Sequence, residues 1–207
     1  MIGIIVLAAG ASTRLGEPKQ KVQFQGKSLL QHAVQVALNS DGKPVVVVLG
    51  ANAEAVRPEV AQEPVQLIIN PEWQEGMSAS IRTGLSALQK MHAGVTGVIL
   101  MLCDQPFVEP AILNKLIEAN YATGKGIIAC AYNKTLGAPV FFDKAFFPDL
   151  LSLKGQEGAK KLLFKHANAV ASIPFPQGSI DIDTPADYAL LHQGHNNNNN
   201  NNNNNKA

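Results

Sequence analysis

The sequence predicts an α/β fold in which helices cover both faces of a mostly parallel sheet, and three observations carry the prediction. Short β-branched apolar runs recur at Ile2 to Leu7, Pro44 to Leu49, Val65 to Ile69, Gly97 to Leu102 and Gly126 to Ala131. Runs this short and without polar alternation are what strands buried on both faces look like. Between them lie stripes of helical period: Leu29, Leu30, Ala33, Val36, Ala37 and Leu38, then Ile81, Leu85 and Leu88, then Ile112, Leu113, Leu116 and Ile117. Apolar residues three and four apart share one side of a helix, so these segments read as crossover helices. Pro110, shortly after Cys103-Asp104, suits the first turn of a helix, where a missing N–H costs nothing. Asp104 is thereby expected at the carboxyl end of the fourth strand.

After Gly137 the pattern loosens to an apolar segment from Pro139 to Phe142, a Leu-rich stretch near Leu150 and a helix around Ala159 to Phe164, which reads as a mixed α and β C-terminal third. In the closing motif Asp181-Ile182-Asp183-Thr184-Pro185-Ala186-Asp187, Thr184 is expected to cap a last helix whose first residue is Pro185. Ten asparagines from Asn196 to Asn205 cannot bury apolar surface. The expectation is therefore one domain over residues 1–193 and a disordered, low-complexity tail over 194–207. No internal repeat is visible, which excludes solenoids and propellers.

Of the 207 residues, 46% are hydrophobic and 16% charged, as in globular proteins. A formal charge of +1 gives no long-range field to gather DNA, RNA or an anionic membrane, so neither is an expected partner. Cys103 and Cys130 lie far apart in apolar runs without CxxC spacing, which fits reduced thiols in the cytoplasm. The apolar start MIGIIVLAAG lacks a basic leader region and meets polar residues too soon for a signal peptide or a membrane span.

Chemistry is expected first in Leu7-Ala8-Ala9-Gly10-Ala11-Ser12-Thr13-Arg14-Leu15-Gly16-Glu17-Pro18-Lys19, directly after the first strand. Small residues there let backbone N–H groups close on an anion, Gly10 and Gly16 permit tight turns, and Arg14 and Lys19 supply two cations that can span a triphosphate. The loop is no Walker A motif, having no terminal GK[ST], and no dinucleotide fingerprint, lacking GxGxxG. Asp104 either ligates a hard divalent cation, with Asp181 or Asp183 as its partner, or caps the helix that follows or starts a turn. In the segment from Asn70 to Leu85, Ser78 and Ser80 either read a base or cap the helix, while Gly76 and Met77 offer backbone contacts and a flexible apolar wall. Trp73 reads as packing, and His32, His92 and His166 as structural or solvated.

Six motifs together resemble the molybdenum-cofactor nucleotidyltransferase-like proteins and, within them, the molybdenum cofactor cytidylyltransferases: LAAGASTRLGEPK, GMSASIRTGL, CDQP, GAPVFF, GQEGAKKLL and DIDTPAD. They sample nearly the whole chain up to Leu191. The resemblance implies a Rossmann-like three-layer α/β/α domain of the nucleotide-diphospho-sugar transferase type. It further implies Mg²⁺-dependent transfer of CMP from CTP to the terminal phosphate of molybdopterin, with release of pyrophosphate and a molybdenum hydroxylase receiving the product. The implied catalytic residues are Arg14, Lys19 and Asp104. The implied nucleotide-binding residues are Leu7, Ala8, Ala9, Gly10, Arg14, Lys19, Gly76, Ser78, Ser80 and Asp104, and the implied metal ligands are Asp104 and Asp183.

Guanylyltransferases of this fold resemble a pattern with LAGG and Asn-x-Asn where this chain has LAAG and Asp181-Ile182-Asp183, which leans toward CTP. Where the cytidylyltransferases usually show GDxGAR, this chain has Gln156 and Lys160, which leaves acceptor recognition more open than nucleotide binding. A nucleotidyltransferase for a sugar phosphate, polyol phosphate or phosphocholine, a GTP-using relative, and a non-catalytic cofactor carrier are the alternatives.

Overall fold

The computed structural model describes residues 1–13, 15–182, 184 and 187. Its centre is β1 (Ile2–Ala8), buried throughout from Gly3 onward, as its lack of polar alternation predicts. The chain then makes a small antiparallel ribbon of β2 (Gln23–Phe24) and β3 (Lys27–Ser28), turned by Gln25 and Gly26, both at positive φ. Ser28 opens α1 (Leu29–Leu38) with a capping box, its hydroxyl accepting from the Gln31 amide while the Gln31 side chain accepts from the Ser28 amide. There follow β4 (Val45–Leu49), the short α2 (Ala53–Val56), β5 (Gln66–Ile69), α3 (Met77–Met91), β6 (Gly97–Leu102) and α4 (Pro110–Thr123). The remainder is β7 (Ile127–Tyr132), β8 (Thr135–Asp143), α5 (Phe147–Leu151), α6 (Lys160–Lys165) and β9 (Val170–Pro174).

Seven strands form one sheet in the order β5-β4-β1-β6-β8-β7-β9. β5, β4, β1 and β6 run parallel, and β9 is parallel to β7, whereas β8 is antiparallel to both β6 and β7. The run at Gly126 to Ala131 is thus a strand as expected, and it runs in the direction of β6 but is separated from it by β8. The segment seen as Pro139 to Phe142 is the middle of a nine-residue strand that reverses direction and wedges between β6 and β7. Strand direction is decided by the connection, and a tight turn at Asn133 and Lys134, both at positive φ, leaves room only for an antiparallel return.

Alternate residues of β1 face opposite layers. Ile4, Val6 and Ala8 pack with α1 and α4, while Ile5 and Leu7 pack with α3, α5 and α6. Gly84 lets α3 lie close, since a Cβ there would stand 2.8 Å from methyl groups of Ile5 and Val48. A third, small cluster joins Val22, Phe24, Leu29 and Ile182, so the ribbon after the first loop and the closing motif share one core. Thr184 and Asp187 make a reciprocal cap, the Asp187 amide donating to the Thr184 hydroxyl and the Asp187 carboxylate accepting from the Thr184 amide. The helix expected from Pro185 and the Asn-rich tail lie outside the described residues. Among those residues no helix is long and apolar enough to cross a membrane.

Candidate active site

From β1 the chain crosses to β4 and β5 on one side and then returns to β6 on the other. The carboxyl ends of β1 and β6 therefore flank the point where strand order reverses, the usual crevice of an open α/β sheet. A cleft of about 530 Å³ opens there, lined by Leu7, Ala8, Ala9, Gly10, Ala11, Thr13, Lys19, Gln20, Trp73, Gln74, Gly76, Met77, Ser80, Leu102, Cys103, Asp104 and Gln156.

The loop after β1 turns its carbonyls into the protein. Gln20 Nε2 donates to the Ala8 carbonyl at 2.8 Å and to that of Gly10 at 3.0 Å. The Ala51 amide takes the Ala9 carbonyl at 3.1 Å, Asn52 reaches that of Ala11, and the Leu15 amide takes that of Ser12. Among the described residues, the amides of Gly10 to Thr13 donate to no protein acceptor. Carbonyls tied inward and amides left over are the geometry that suits an anion, and Ser12 at φ 57° supplies the left-handed residue that anion-binding nests use. Gly10 needs no special conformation, and a Cβ there would meet nothing within 4 Å; its contribution is open space, while Gly16 at φ 82° is the turn residue. Arg14 lies outside the described residues.

The Ser12 hydroxyl accepts from the Lys19 amide at 3.0 Å, and the Lys19 ammonium stands 2.5 Å from Asp104 Oδ2, with both side chains largely shielded. Asp104 Oδ1 is buried and has no hydrogen-bond partner among the described residues. A carboxylate oxygen left unpaired in the wall of a cleft suits a hard divalent cation, which takes oxygen ligands and completes its shell with water and phosphate. The Ile182 amide donates to the Asp104 carbonyl at 3.1 Å, which ties the closing motif to the end of β6; Asp183 itself lies outside the described residues. Asp104 does not cap α4, which starts at Pro110 with Glu109 at its N-cap. Burial, with the neighbouring Asp104 carboxylate adding to it, pushes the Cys103 thiol up to about 12, so this cysteine stays a neutral wall residue.

The opposite wall is the start of α3. Its N-cap is Gly76, and Gly76 and Met77 line the cleft, so the positive end of a fifteen-residue helix dipole meets it. Ser80 lines it too, its hydroxyl accepting from Asn70 Nδ2 at 3.1 Å. Ser78 is neither in the cleft nor the cap. It is fully buried, donates to the Gly155 carbonyl at 2.7 Å and accepts from Arg82, which also donates to the Leu153 carbonyl. Trp73 packs against the α3 layer as expected, and it also forms cleft wall.

A second chamber of about 270 Å³ adjoins the cleft and shares Leu7, Met77, Leu102 and Gln156 with it. Its lining is mostly apolar, including Ile81, Leu100, Leu136 and Val140, with Gln105, Tyr132, Lys160 and Asp181 as polar groups. Burial and then the Asp181 carboxylate raise the Tyr132 phenol, which keeps it a neutral hydrogen-bonding group. Two contiguous chambers offer room for two substrates.

The structure thus gathers Leu7, Ala8, Ala9, Gly10, Lys19, Gly76, Ser80 and Asp104 around one cleft and leaves Ser78 out. Gln20, Thr13 and Cys103 join it without having been singled out. Gln20 stood next to Lys19 in the sequence, but a glutamine among exposed charges carries no local sign of burial.

The chain is similar to known proteins in sequence and fold. Nicotine blue oxidoreductase of Paenarthrobacter nicotinovorans is 31% identical over 169 residues, covering 77% of this chain and 79% of that protein. Purine catabolism protein PucB of Bacillus subtilis is 28% identical over 203 residues, covering 93% and 96%. Rv0371c of Mycobacterium tuberculosis H37Rv has a TM-score of 0.79 at 33% identity over 92% of this chain and 96% of its own, and its manganese complex a TM-score of 0.75 at 30% identity over 92% and 97%. The family model described as MobA-like NTP transferase domain matches residues 4–170. The chain belongs to this family and is a nucleotidyltransferase.

Proposed function

We propose that the protein transfers CMP from CTP to the terminal phosphate of molybdopterin. The observation that carries this reading is the Lys19–Asp104 pair beside a loop whose amides are left for an anion, all at the switch point of the sheet. The triphosphate occupies the amide nest of Gly10 to Thr13, with Arg14 and Lys19 as its cations. Mg²⁺, held by Asp104 and Asp183, supplies charge neutralisation to the phosphates when bound. Manganese in the complex of the relative Rv0371c supports a divalent cation in this fold.

The Lys19 ammonium moves from Asp104 to the α-phosphate and stabilises the charge that develops there. A terminal-phosphate oxygen of the acceptor attacks the α-phosphorus, the bond from that phosphorus to the bridging oxygen breaks, and pyrophosphate leaves with the electron pair. The acceptor is already ionised, so positioning and charge carry the rate, and no residue needs to remove a proton. Ser80, held by Asn70, lines the base site, and the second chamber receives the acceptor. LAAG and Asp181-Ile182-Asp183 favour CTP over GTP. The work is placed in the cytoplasm, with a molybdenum hydroxylase taking up the product.

A second reading follows from the name of one relative, nicotine blue oxidoreductase: oxidation or reduction of such a compound. The first loop has no dinucleotide fingerprint, which puts this reading second.

The test is pyrophosphate release with Mg²⁺ and each of the four nucleoside triphosphates, with and without molybdopterin. Release requiring both CTP and molybdopterin is expected, and Asp104→Asn is expected to abolish it together with Mn²⁺ binding followed by electron paramagnetic resonance. Release with CTP and a sugar or polyol phosphate alone would replace the acceptor, and oxidation or reduction of nicotine blue without any release would establish the second reading.

A further inference from the structure

We propose that Gln20 is a positioning residue for the triphosphate: its buried amide pulls two carbonyls of the first loop inward and thereby aims the loop's N–H groups at the ligand. The inference rests on the reading of that loop as the triphosphate site. Gln20 is 0% exposed, although it lies in a turn flanked by Lys19 and the exposed Lys21. Its two Nε2 hydrogens go to the carbonyls of Ala8 and Gly10, 2.8 and 3.0 Å away, so one side chain holds two peptide units that bracket Ala9.

A peptide unit cannot turn its carbonyl inward without turning its N–H outward. Fixing the 8–9 and 10–11 peptides in this sense therefore sets the direction of the Ala9 and Ala11 amides. Glutamine is the side chain this task needs. Glutamate of the same shape presents only acceptors when ionised, and methionine fills the space with no donor at all. Gln20 Oε1 is itself buried with no hydrogen-bond partner among the described residues, a cost that an isosteric apolar residue avoids. Packing alone therefore does not explain an amide here, whereas its two donor bonds do. Being adjacent to Lys19, whose amide is held by the Ser12 hydroxyl, it also links the loop to the residue that carries the cation.

Tripolyphosphate binding at fixed Mg²⁺, read by quenching of Trp73, tests this. Trp73 is the one tryptophan in the sequence and lies in the cleft wall. Gln20→Met is expected to weaken tripolyphosphate on the order of tenfold, the factor of two misdirected donors at a charged ligand. Gln20→Glu supplies a signature that loosened packing does not. Protonated, its carboxyl donates one hydrogen bond to the loop; ionised, it repels both carbonyls, and burial keeps the proton on it to higher pH.

The affinity ratio of Gln20→Glu to wild type is therefore expected to fall as pH rises, with the same folded protein serving as its own control at low pH. Wild-type affinity in Gln20→Met, or a ratio in Gln20→Glu that does not change with pH, would overturn the role of Gln20. Failure of the wild type to bind either tripolyphosphate or CTP would instead remove the triphosphate reading of the loop, and this inference with it.

Discussion

Lys19 and Asp104 hold each other at 2.5 Å, and each has a second task in the proposed reaction. While they are paired, the ammonium places a positive charge beside the carboxylate that is to ligate a cation, and it has no phosphate to serve. Nucleotide binding separates the two roles by giving Lys19 a better-placed anion. Lys19→Ala is accordingly expected to lower turnover about 10²- to 10³-fold, as loss of a charge stabiliser in an enclosed site does. The same variant should bind Mn²⁺ alone more tightly than wild type; wild-type turnover with unchanged Mn²⁺ affinity would show that Lys19 is a structural partner only. His32 makes a different prediction. Burial holds its imidazole below the ordinary value of 6.5, against the raising effect of backbone hydrogen bonds to it, and its ring meets Phe24 edge-on at 5.4 Å. The folded state thus favours the neutral ring, so its contribution to stability is whole above pH 6.5 and is lost as pH falls through the depressed value. Melting temperature against pH should slope downward on acidification in wild type and slope less in His32→Gln.

At the scale of elements, α3 does two things at once. Its first turn lines the cleft, while Ser78 and Arg82 on its inner side clamp the Leu153 and Gly155 carbonyls of the segment that carries Gln156 to the seam between the chambers. Gly76 makes the clamp possible. At φ 122° it adopts a backbone that side chains disfavour, and a Cβ there would stand 2.4 Å from the Gly155 carbonyl. Gly76→Ala is expected to cost about 1–3 kcal/mol for the backbone conformation, with the clash added, and denaturant unfolding measures it. Because the displaced segment borders the second chamber, where the proposed reaction seats its acceptor, the Michaelis constant for the acceptor should rise more than that for CTP. An equal rise in both would show that α3 moves as a whole.

At the scale of the molecule, one sheet of parallel-running strands with a single antiparallel insertion, β8, carries the cleft at the carboxyl ends of β1 and β6. The first loop, the end of β6 and the closing motif are far apart in sequence, yet they converge because β1 and β6 are neighbours and Ile182 docks in the core under Val22, Phe24 and Leu29. Removing everything after His195 is expected to leave melting temperature and pyrophosphate release unchanged, since polar asparagines have no apolar surface to contribute. A clear drop in either would give the tail a structural part.

Much of this was legible in the residues themselves. Strands β1, β4, β5, β6 and β7 and helices α1, α3 and α4 declare themselves through apolar runs and periodicity, because burial on two faces or one leaves its own spacing in the chain. The make-up of the first loop and the place of Asp104 at the end of β6 were legible because small residues, cations and a carboxylate at the end of an apolar strand are local facts. The antiparallel insertion of β8, the displacement of Ser78 from the cleft, the pairing of Lys19 with Asp104 and the burial of Gln20 were decided only in three dimensions. Each depends on which distant segment comes to lie alongside, and a hydrogen bond between residues 12 or 85 positions apart is set by topology, not by the identity of either partner.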